Sequence, residues 1–161
     1  MTPASPLMPD TLRLQLCDIQ GRLFELAGRQ GLDSEPFIAA FMNSPTAAHY
    51  DLPYDAAQWR GEEYLLAEVA DEAGPEALPK TGAVFPNEVL YWAGYLYRHW
   101  HFLTGESSAE IYAQADAATM LHGYAGLHTI DNDLAVEDLK EWHRLAGGQT
   151  GRRGTAEGPV T

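Results

Sequence analysis

The chain has 161 residues, with 23 acidic and ten basic side chains and a formal net charge of −13. That length suffices for one domain with its own core, while the scarcity of Lys and Arg argues against direct binding of nucleic acid, which needs clustered cations. An acidic surface of this kind keeps a protein in solution and attracts basic partners.

The sequence also indicates the cellular compartment of the protein. A single cysteine, Cys17, excludes a disulfide framework within one chain and favours a reducing cytosol. The first twelve residues lack the basic start and apolar segment of a signal peptide, and no apolar run approaches the ~20 residues that a membrane span needs. We therefore expect a cytoplasmic protein that makes no membrane contact.

The amino-terminal third predicts a tail and then two helices. Residues 1–9 are Pro-rich and are predicted to be a disordered tail. Asp10 is the predicted N-cap of an amphipathic helix that ends near Gly28 and Gly31, and Cys17 is expected beside its apolar stripe as a small buried residue. The stripe repeats at steps of three and four and consists of Leu12, Leu16, Ile19, Leu23 and Leu26. A second start signal at residues 33–36 predicts a short helix.

Residues 55–74 predict a further helix with many acidic side chains on its outer face. Trp59 is expected to point into the core, since large aromatic side chains are mostly buried; the alternative is a surface anchor for a partner. Residues 74–86 form a loop with three prolines. It is too short and too apolar to separate two domains.

The centre of the sequence is the stretch 88–104, where apolar and aromatic residues occur on every helical face. This pattern is typical of a buried central helix. Ser107 and Glu110 then predict a capping box, Asp116 or Thr119 begins another turn, and residues 131–133 begin the last helix. The apolar residues of that helix are Leu134, Val136, Leu139 and Trp142.

No segment alternates apolar and polar residues in the way of a strand. We predict an all-α, single-domain bundle of about six or seven helices around the aromatic helix near 88–104. The domain is expected to span residues 10–146, between the tail at 1–9 and a Gly-rich disordered tail at 147–161.

The histidines do not predict a metal site. His99 and His101 are two residues apart, about 200° around a helix, and so cannot bind one ion together. Tyr124 and His128 would pair only if residues 124–128 were helical, and the glycines at 123 and 126 argue against a helix there. No metal, no cofactor and no catalytic residue is expected.

Polar groups within the aromatic helix are the candidate binding cluster. Arg98 and Tyr97 both lie within one helical turn of His101, and Glu106 in the following turn can reach back to Arg98. A buried arginine needs a partner, because an unpaired buried charge is costly; Glu106 or His128 is the predicted partner. Two interpretations stay open: a structural polar network, or the lining of a pocket or interface for a planar or basic ligand.

Three runs carry a family resemblance: FIAAFMNSPTAAHYDLPYDAAQW, LYWAGYLYRHWHFLTGESSAEIYAQADAATM and LHTIDNDLAVEDLKE. Over about residues 34–141 the chain resembles a family of small, all-helical bacterial and phage-associated proteins of unassigned function. Most of the residues that match this family have a role in packing or capping. Such a role does not fully explain four matching residues: Arg98, Glu106, His128 and Thr129.

The carboxyl-terminal runs are also similar to a wider group of short helical proteins, some encoded beside toxins of the ADP-ribosyltransferase type. This resemblance implies an antitoxin or accessory role. The acidic charge is compatible with it, because an acidic protein can cover a basic cleft. The main hypothesis is therefore a non-enzymatic cytosolic interaction protein, with a protein partner such as a basic toxin.

The alternative hypothesis is a ligand- or nucleotide-binding protein, or an enzyme, that uses the polar cluster around Arg98. Homodimerisation is open. Acidic side chains concentrate in residues 51–76 and 131–141, and these are either a surface for a basic partner or two ordinary solvated helix faces.

Overall fold

The computed structural model describes residues 8–156, and within them the chain forms eight α-helices and no strand. The helices are α1 Asp10–Arg29, α2 Ser34–Met42, α3 Pro45–Tyr50, α4 Glu62–Ala73, α5 Asn87–Thr104, α6 Ser108–Gln114, α7 Ala117–Leu127 and α8 Asn132–Ala156. Short 3₁₀ segments lie at Ala56–Trp59 and Pro75–Ala77. The predicted all-α, single-domain fold is confirmed.

Helix α5 is the centre of the bundle and packs along α1. A Cβ atom added to Gly94 would lie 2.5 Å from the carbonyl oxygen of Gln20, and one added to Gly21 would lie 2.9 Å from the carbonyl oxygen of Tyr91. These distances are below van der Waals contact, so the two glycines allow the helix backbones to touch. Leu96 and Trp100 are fully buried, and the predicted central helix is confirmed.

An aromatic group fills the core on one side of this helix pair. The ring of Phe24 in α1 meets Phe37 and Phe41 of α2 edge-on, with centroid separations of 5.7 and 5.8 Å, and lies 6.1 Å from Tyr97 of α5. Burying each phenylalanine stabilises the fold by about 1.5–3 kcal/mol. Cys17 is 1 % exposed, as expected, and burial raises the pKa of its thiol to about 12.

The loop at residues 74–86 is fastened to the start of α2. The carboxylate of Asp33 accepts hydrogen bonds from the Thr81 hydroxyl at 2.5 Å, the Thr81 amide at 2.7 Å and the Ala83 amide at 3.2 Å. The hydroxyl bond from Thr81 is the main reason that the pKa of Asp33 is lowered. The loop is therefore part of the single domain.

Several predicted helix boundaries are confirmed, and others differ from the structure. Ser107 and Glu110 form the capping box, and the side chain of Asp116 accepts from the amide of Thr119. Asp10 is the first residue of α1 and makes no capping hydrogen bond, since Pro9 is the N-cap. The helix predicted at 55–74 divides into a 3₁₀ turn and α4, with the extended Gly61 as the N-cap of α4.

Helix α8 continues beyond the boundary that the sequence predicts. Residues 147–156, expected in a tail, lie in its last part, while the rest of that expected tail and residues 1–7 lie outside the described residues. Among its apolar residues, Val136 and Leu139 are buried, whereas Leu134 and Trp142 are 51 % and 43 % exposed.

Trp59 is the clearest departure from the sequence prediction. Its side chain is 68 % exposed, so the expected core position is wrong. The tryptophan ends the 3₁₀ turn at Ala56–Trp59 and precedes α4. The prediction assumed one continuous helix with an apolar face toward the core. A turn between two helices has no such face, so the helical periodicity gave the wrong position for this residue.

None of the helices in residues 8–156 is long and apolar enough to span a membrane.

Candidate functional site

Arg98 lies in the middle of α5 with a side chain that is 0 % exposed. Each guanidinium nitrogen donates to a different element. Nε donates to Oε1 of Gln20 in α1 at 2.8 Å, and Nη1 to Oδ1 of Asp51 at 2.6 Å. Nη2 donates to Oγ of Ser108 in α6 at 3.1 Å. We call these four residues and His101 the Arg98 cluster.

The ion-pair partner of Arg98 is Asp51, so the predicted partners Glu106 and His128 are wrong. Asp51 follows the last residue of α3. Its carboxylate also accepts from the amide of Ser108 at 2.8 Å and from the Ser108 hydroxyl at 2.7 Å. Burial acts to raise the pKa of Asp51, but the charge of Arg98 and these hydrogen bonds outweigh it and leave the pKa lowered.

Two further contacts complete the burial of the guanidinium. The ring of Tyr50 lies 4.6 Å from the central carbon of Arg98, in cation–π geometry. Gln20, also fully buried, donates from Nε2 to the carbonyl oxygen of Gly94 at 3.0 Å. The cluster thus joins α1, α5, α6 and the end of α3 in one hydrogen-bonded unit.

His101 is placed between two backbone carbonyls. Nδ1 lies 2.6 Å from the oxygen of Glu106 and Nε2 lies 3.1 Å from the oxygen of Asp51. A neutral imidazole can donate to only one of them. Burial, and then the charge of Arg98, lower the pKa of His101.

Glu106 belongs to a second polar group. Its carboxylate accepts from Nε1 of Trp100 at 2.8 Å, from Nζ of Lys140 in α8 at 2.9 Å and from Nε2 of Gln114 at 2.9 Å. Burial acts to raise its pKa, but these hydrogen bonds, that of Lys140 foremost, lower it to about 2. This group fastens α8 to the end of α5.

The remaining candidates lie apart from both groups. The hydroxyl of Tyr97 donates to the carbonyl oxygen of Ala115 at 2.6 Å, and burial raises the pKa of that hydroxyl. His128 and Thr129 are exposed at the end of α7. His128 stacks on Tyr124 with centroids 4.1 Å apart, so the argument that glycines prevent a helix there is wrong.

The arrangement does not resemble a nucleophilic centre. The Ser108 hydroxyl donates to Asp51 and accepts from Arg98, and the nearest partners of His101 are backbone carbonyls. Arg98, Ser108 and His101 are at most 5 % exposed. A substrate therefore has no free hydrogen-bonding group to meet, and the geometry favours the structural interpretation of the cluster.

The sequence analysis missed three members of the cluster: Gln20, Asp51 and Ser108. Gln20 carried a usable signal, because it is a polar residue between Leu16 and Leu23 on the side of α1 that turns toward the core. Asp51 carried none: it is one of eight acidic residues in 51–76, and 47 positions separate it from Arg98. Residues 8–156 contain no group of three or more His, Cys, Asp or Glu side chains that could hold a metal ion.

The surface depressions outside the cluster include a cleft and a groove. A cleft of about 220 Å³ runs between α3 and α4, and its lining includes Thr46, Tyr64, Glu68 and Glu72. A groove of about 470 Å³ lies between α1, α5 and α8 and is lined by apolar residues such as Leu14, with the His99–Asp133 pair at one side.

No protein-family model, curated protein or solved structure matches this chain. The resemblance described from the sequence therefore stays a hypothesis.

Proposed function

We propose that this chain is a non-enzymatic, cytoplasmic interaction protein whose partner is a basic protein. The observation that carries the proposal is the exposure of Trp59, 68 % of whose side chain faces solvent on the most acidic part of the chain. Tryptophan is enriched among the residues that dominate binding energy at protein interfaces. An exposed tryptophan among carboxylates suits a partner surface that is both apolar and cationic.

The charge supports a basic partner in two ways. A net charge of −13 on 161 residues opposes close approach of a second acidic protein, including a second copy of this chain. The same field speeds encounter with a cationic protein at low ionic strength, and this acceleration weakens as salt screens it.

The alternative, a ligand-binding protein or enzyme that uses Arg98, has less support. A binding arginine presents donors to a ligand, whereas the three nitrogens of Arg98 already donate to Gln20, Asp51 and Ser108. Opening this cluster to a ligand would leave the Asp51 carboxylate without its ion pair, which is costly for a mostly buried charge.

The proposal takes a more specific form from the family resemblance: the basic partner is a toxin, of the ADP-ribosyltransferase type in the related gene pairs, and this chain is its antitoxin or accessory protein. An acidic protein that covers a cationic cleft would block the toxin without any chemistry of its own.

Affinity capture of the tagged full chain from its host, followed by reconstitution with the purified partner, tests the proposal. We expect a stoichiometric complex with a basic protein, weaker at high salt, and relief of growth inhibition when the chain is co-expressed with that protein. Failure to reconstitute any complex contradicts the binding function. A complex without growth relief contradicts only the antitoxin role.

A thermal-shift series with nucleotides and NAD fragments tests the alternative. Stabilisation that Arg98→Lys abolishes while the variant stays folded would favour the ligand-binding hypothesis and count against the proposal.

A further inference from the structure

We infer that the docking surface is the α3–α4 face, defined by Thr46, Leu52, Trp59, Tyr64, Glu68 and Glu72, and that it takes a basic, partly apolar segment of the partner with one Arg or Lys side chain in the cleft. This inference rests on the proposed binding function and adds its location and the chemistry of its occupant.

Four exposed apolar side chains lie in the segment that runs from the end of α3 into the first turn of α4. Leu52 is 52 % exposed, Tyr54 46 %, Trp59 68 % and Tyr64 40 %. Single exposed apolar residues are common on protein surfaces, but four within 13 positions are a candidate interaction site. Tyr54 also has a φ of 59°, a left-handed conformation that is rare for a bulky residue and that holds its side chain outward at some cost in strain.

The segment that carries these side chains is firmly fixed. Gln58 is 3 % exposed, and its Nε2 donates to the carbonyl oxygens of Tyr50 at 3.1 Å and Leu52 at 2.6 Å. Asp51, just before the segment, is held by Arg98. Trp59 directly follows this buried anchor. A partner would lose little conformational entropy in ordering this face.

The cleft between α3 and α4, which Tyr64 lines, contains two carboxylates, Glu68 and Glu72. Glu72 accepts from the Thr46 hydroxyl at 2.8 Å, and Glu68 accepts from the Tyr64 hydroxyl at 2.9 Å. The salt bridges between described residues include neither glutamate. An incoming ammonium or guanidinium group would gain charge-assisted hydrogen bonds there.

The protein itself shows that a cation fits this surface. The guanidinium of Arg60 lies 4.3 Å from the ring centre of Tyr64, in the same cleft. Arg60 is the single basic residue among eight acids in 51–76, so the local charge stays strongly negative. An Arg or Lys from a partner can therefore bind beside Arg60, between the Tyr64 ring and the two glutamates.

The groove between α1, α5 and α8 is a poorer candidate for a basic segment. Its acidic Asp133 is already bonded to His99 at 2.6 Å, and Arg13 adds a positive charge to the lining. This groove is lined by two acidic residues, Asp10 and Asp133, with Arg13 and His99. The α3–α4 cleft is lined by three, Asp55, Glu68 and Glu72, with Arg60 and His49, and is the more acidic of the two.

A selection from a displayed library of random peptides against the intact chain, at about 0.1 M salt, tests the inference without the natural partner. We expect selected peptides to share an Arg or Lys next to an apolar residue. Trp59→Ala and, independently, Glu72→Gln should each weaken their binding about tenfold or more, while the matched controls Leu134→Ala and Glu137→Gln on α8 should change it less than about twofold. Circular dichroism melting confirms that each variant is folded.

The inference is overturned if no peptide is selected, if the selected peptides lack basic residues, or if their binding survives both Trp59→Ala and Glu72→Gln. Its failure is separable from failure of the proposed function. A natural basic partner that binds Trp59→Ala and wild type equally would place the interface elsewhere while leaving the binding function intact.

Discussion

The guanidinium of Arg98 and the carboxylate of Asp51 lie 2.6 Å apart, although 47 residues separate them along the chain. This ion pair fixes the end of α3 against the central helix. The exposed side chains at residues 52–59 begin at the position after Asp51. The buried ion pair therefore fixes the position of the proposed docking face on the bundle. We therefore regard the Arg98 cluster as a support for the surface and not as a site in itself.

Replacing Arg98 with methionine should strongly destabilise the fold. The substitution leaves the Asp51 carboxylate and the side chain of Gln20 without their buried partner, and breaking one side of a buried ion pair costs about 3–5 kcal/mol. Urea denaturation followed by circular dichroism measures the loss. The double variant Arg98→Met with Asp51→Asn should recover part of it; a double variant that loses the full sum of the two single effects would show that the pair is not coupled.

Gly94→Ala should destabilise the protein although alanine is the better helix former. Its Cβ would meet backbone atoms of Gln20 and Gly21 at 2.5–3.0 Å, so α1 and α5 would have to move apart. We expect a loss of about 1–3 kcal/mol in the free energy of unfolding. The matched control is Gly126→Ala in α7, where an added Cβ atom would meet open space; there a gain of up to about 1 kcal/mol is expected. Equal effects would refute the close contact.

The stability of the folded protein should depend on pH because of Glu106. Its pKa is lowered in the folded protein to about 2, from an ordinary value of 4.5. A carboxylate with a lowered pKa stabilises the fold above its unfolded pKa, and that contribution disappears as the pH falls toward the folded value. Wild type should therefore exceed Glu106→Gln in melting temperature at pH 7, and the gap should close between about pH 4.5 and 2. A gap that stays constant to pH 2 would contradict this account.

Truncating Trp59 and truncating Trp100 should change the free energy of unfolding by very different amounts. Trp59→Ala removes a side chain that is 68 % exposed, so the free energy of unfolding should change by less than about 0.5 kcal/mol. Trp100→Ala removes a fully buried ring and the indole hydrogen bond to Glu106, and should cost about 3–5 kcal/mol. Thermal and urea unfolding distinguish the two. A large loss with Trp59→Ala would mean that its role is in the core after all.

The sequence determined those features that depend on neighbours within one or two helical turns. The all-round apolar pattern of 88–104 specified a central helix, and Ser107 with Glu110 specified a capping box, because both depend on spacing along a single segment. Arg98 was singled out for the same reason: a charge in an apolar helix must find a partner.

Only the tertiary structure decided which residue that partner is. Asp51, Gln20 and Ser108 reach Arg98 from three other elements, and no local pattern encodes how α1, α3 and α6 pack on α5. Trp59 was misplaced for the same reason, since its exposure follows from the buried anchor of Gln58 and from the break at Gly61. Side-chain periodicity fixes which face of a helix is buried; the pairing of polar groups across the core depends on the packing of whole helices.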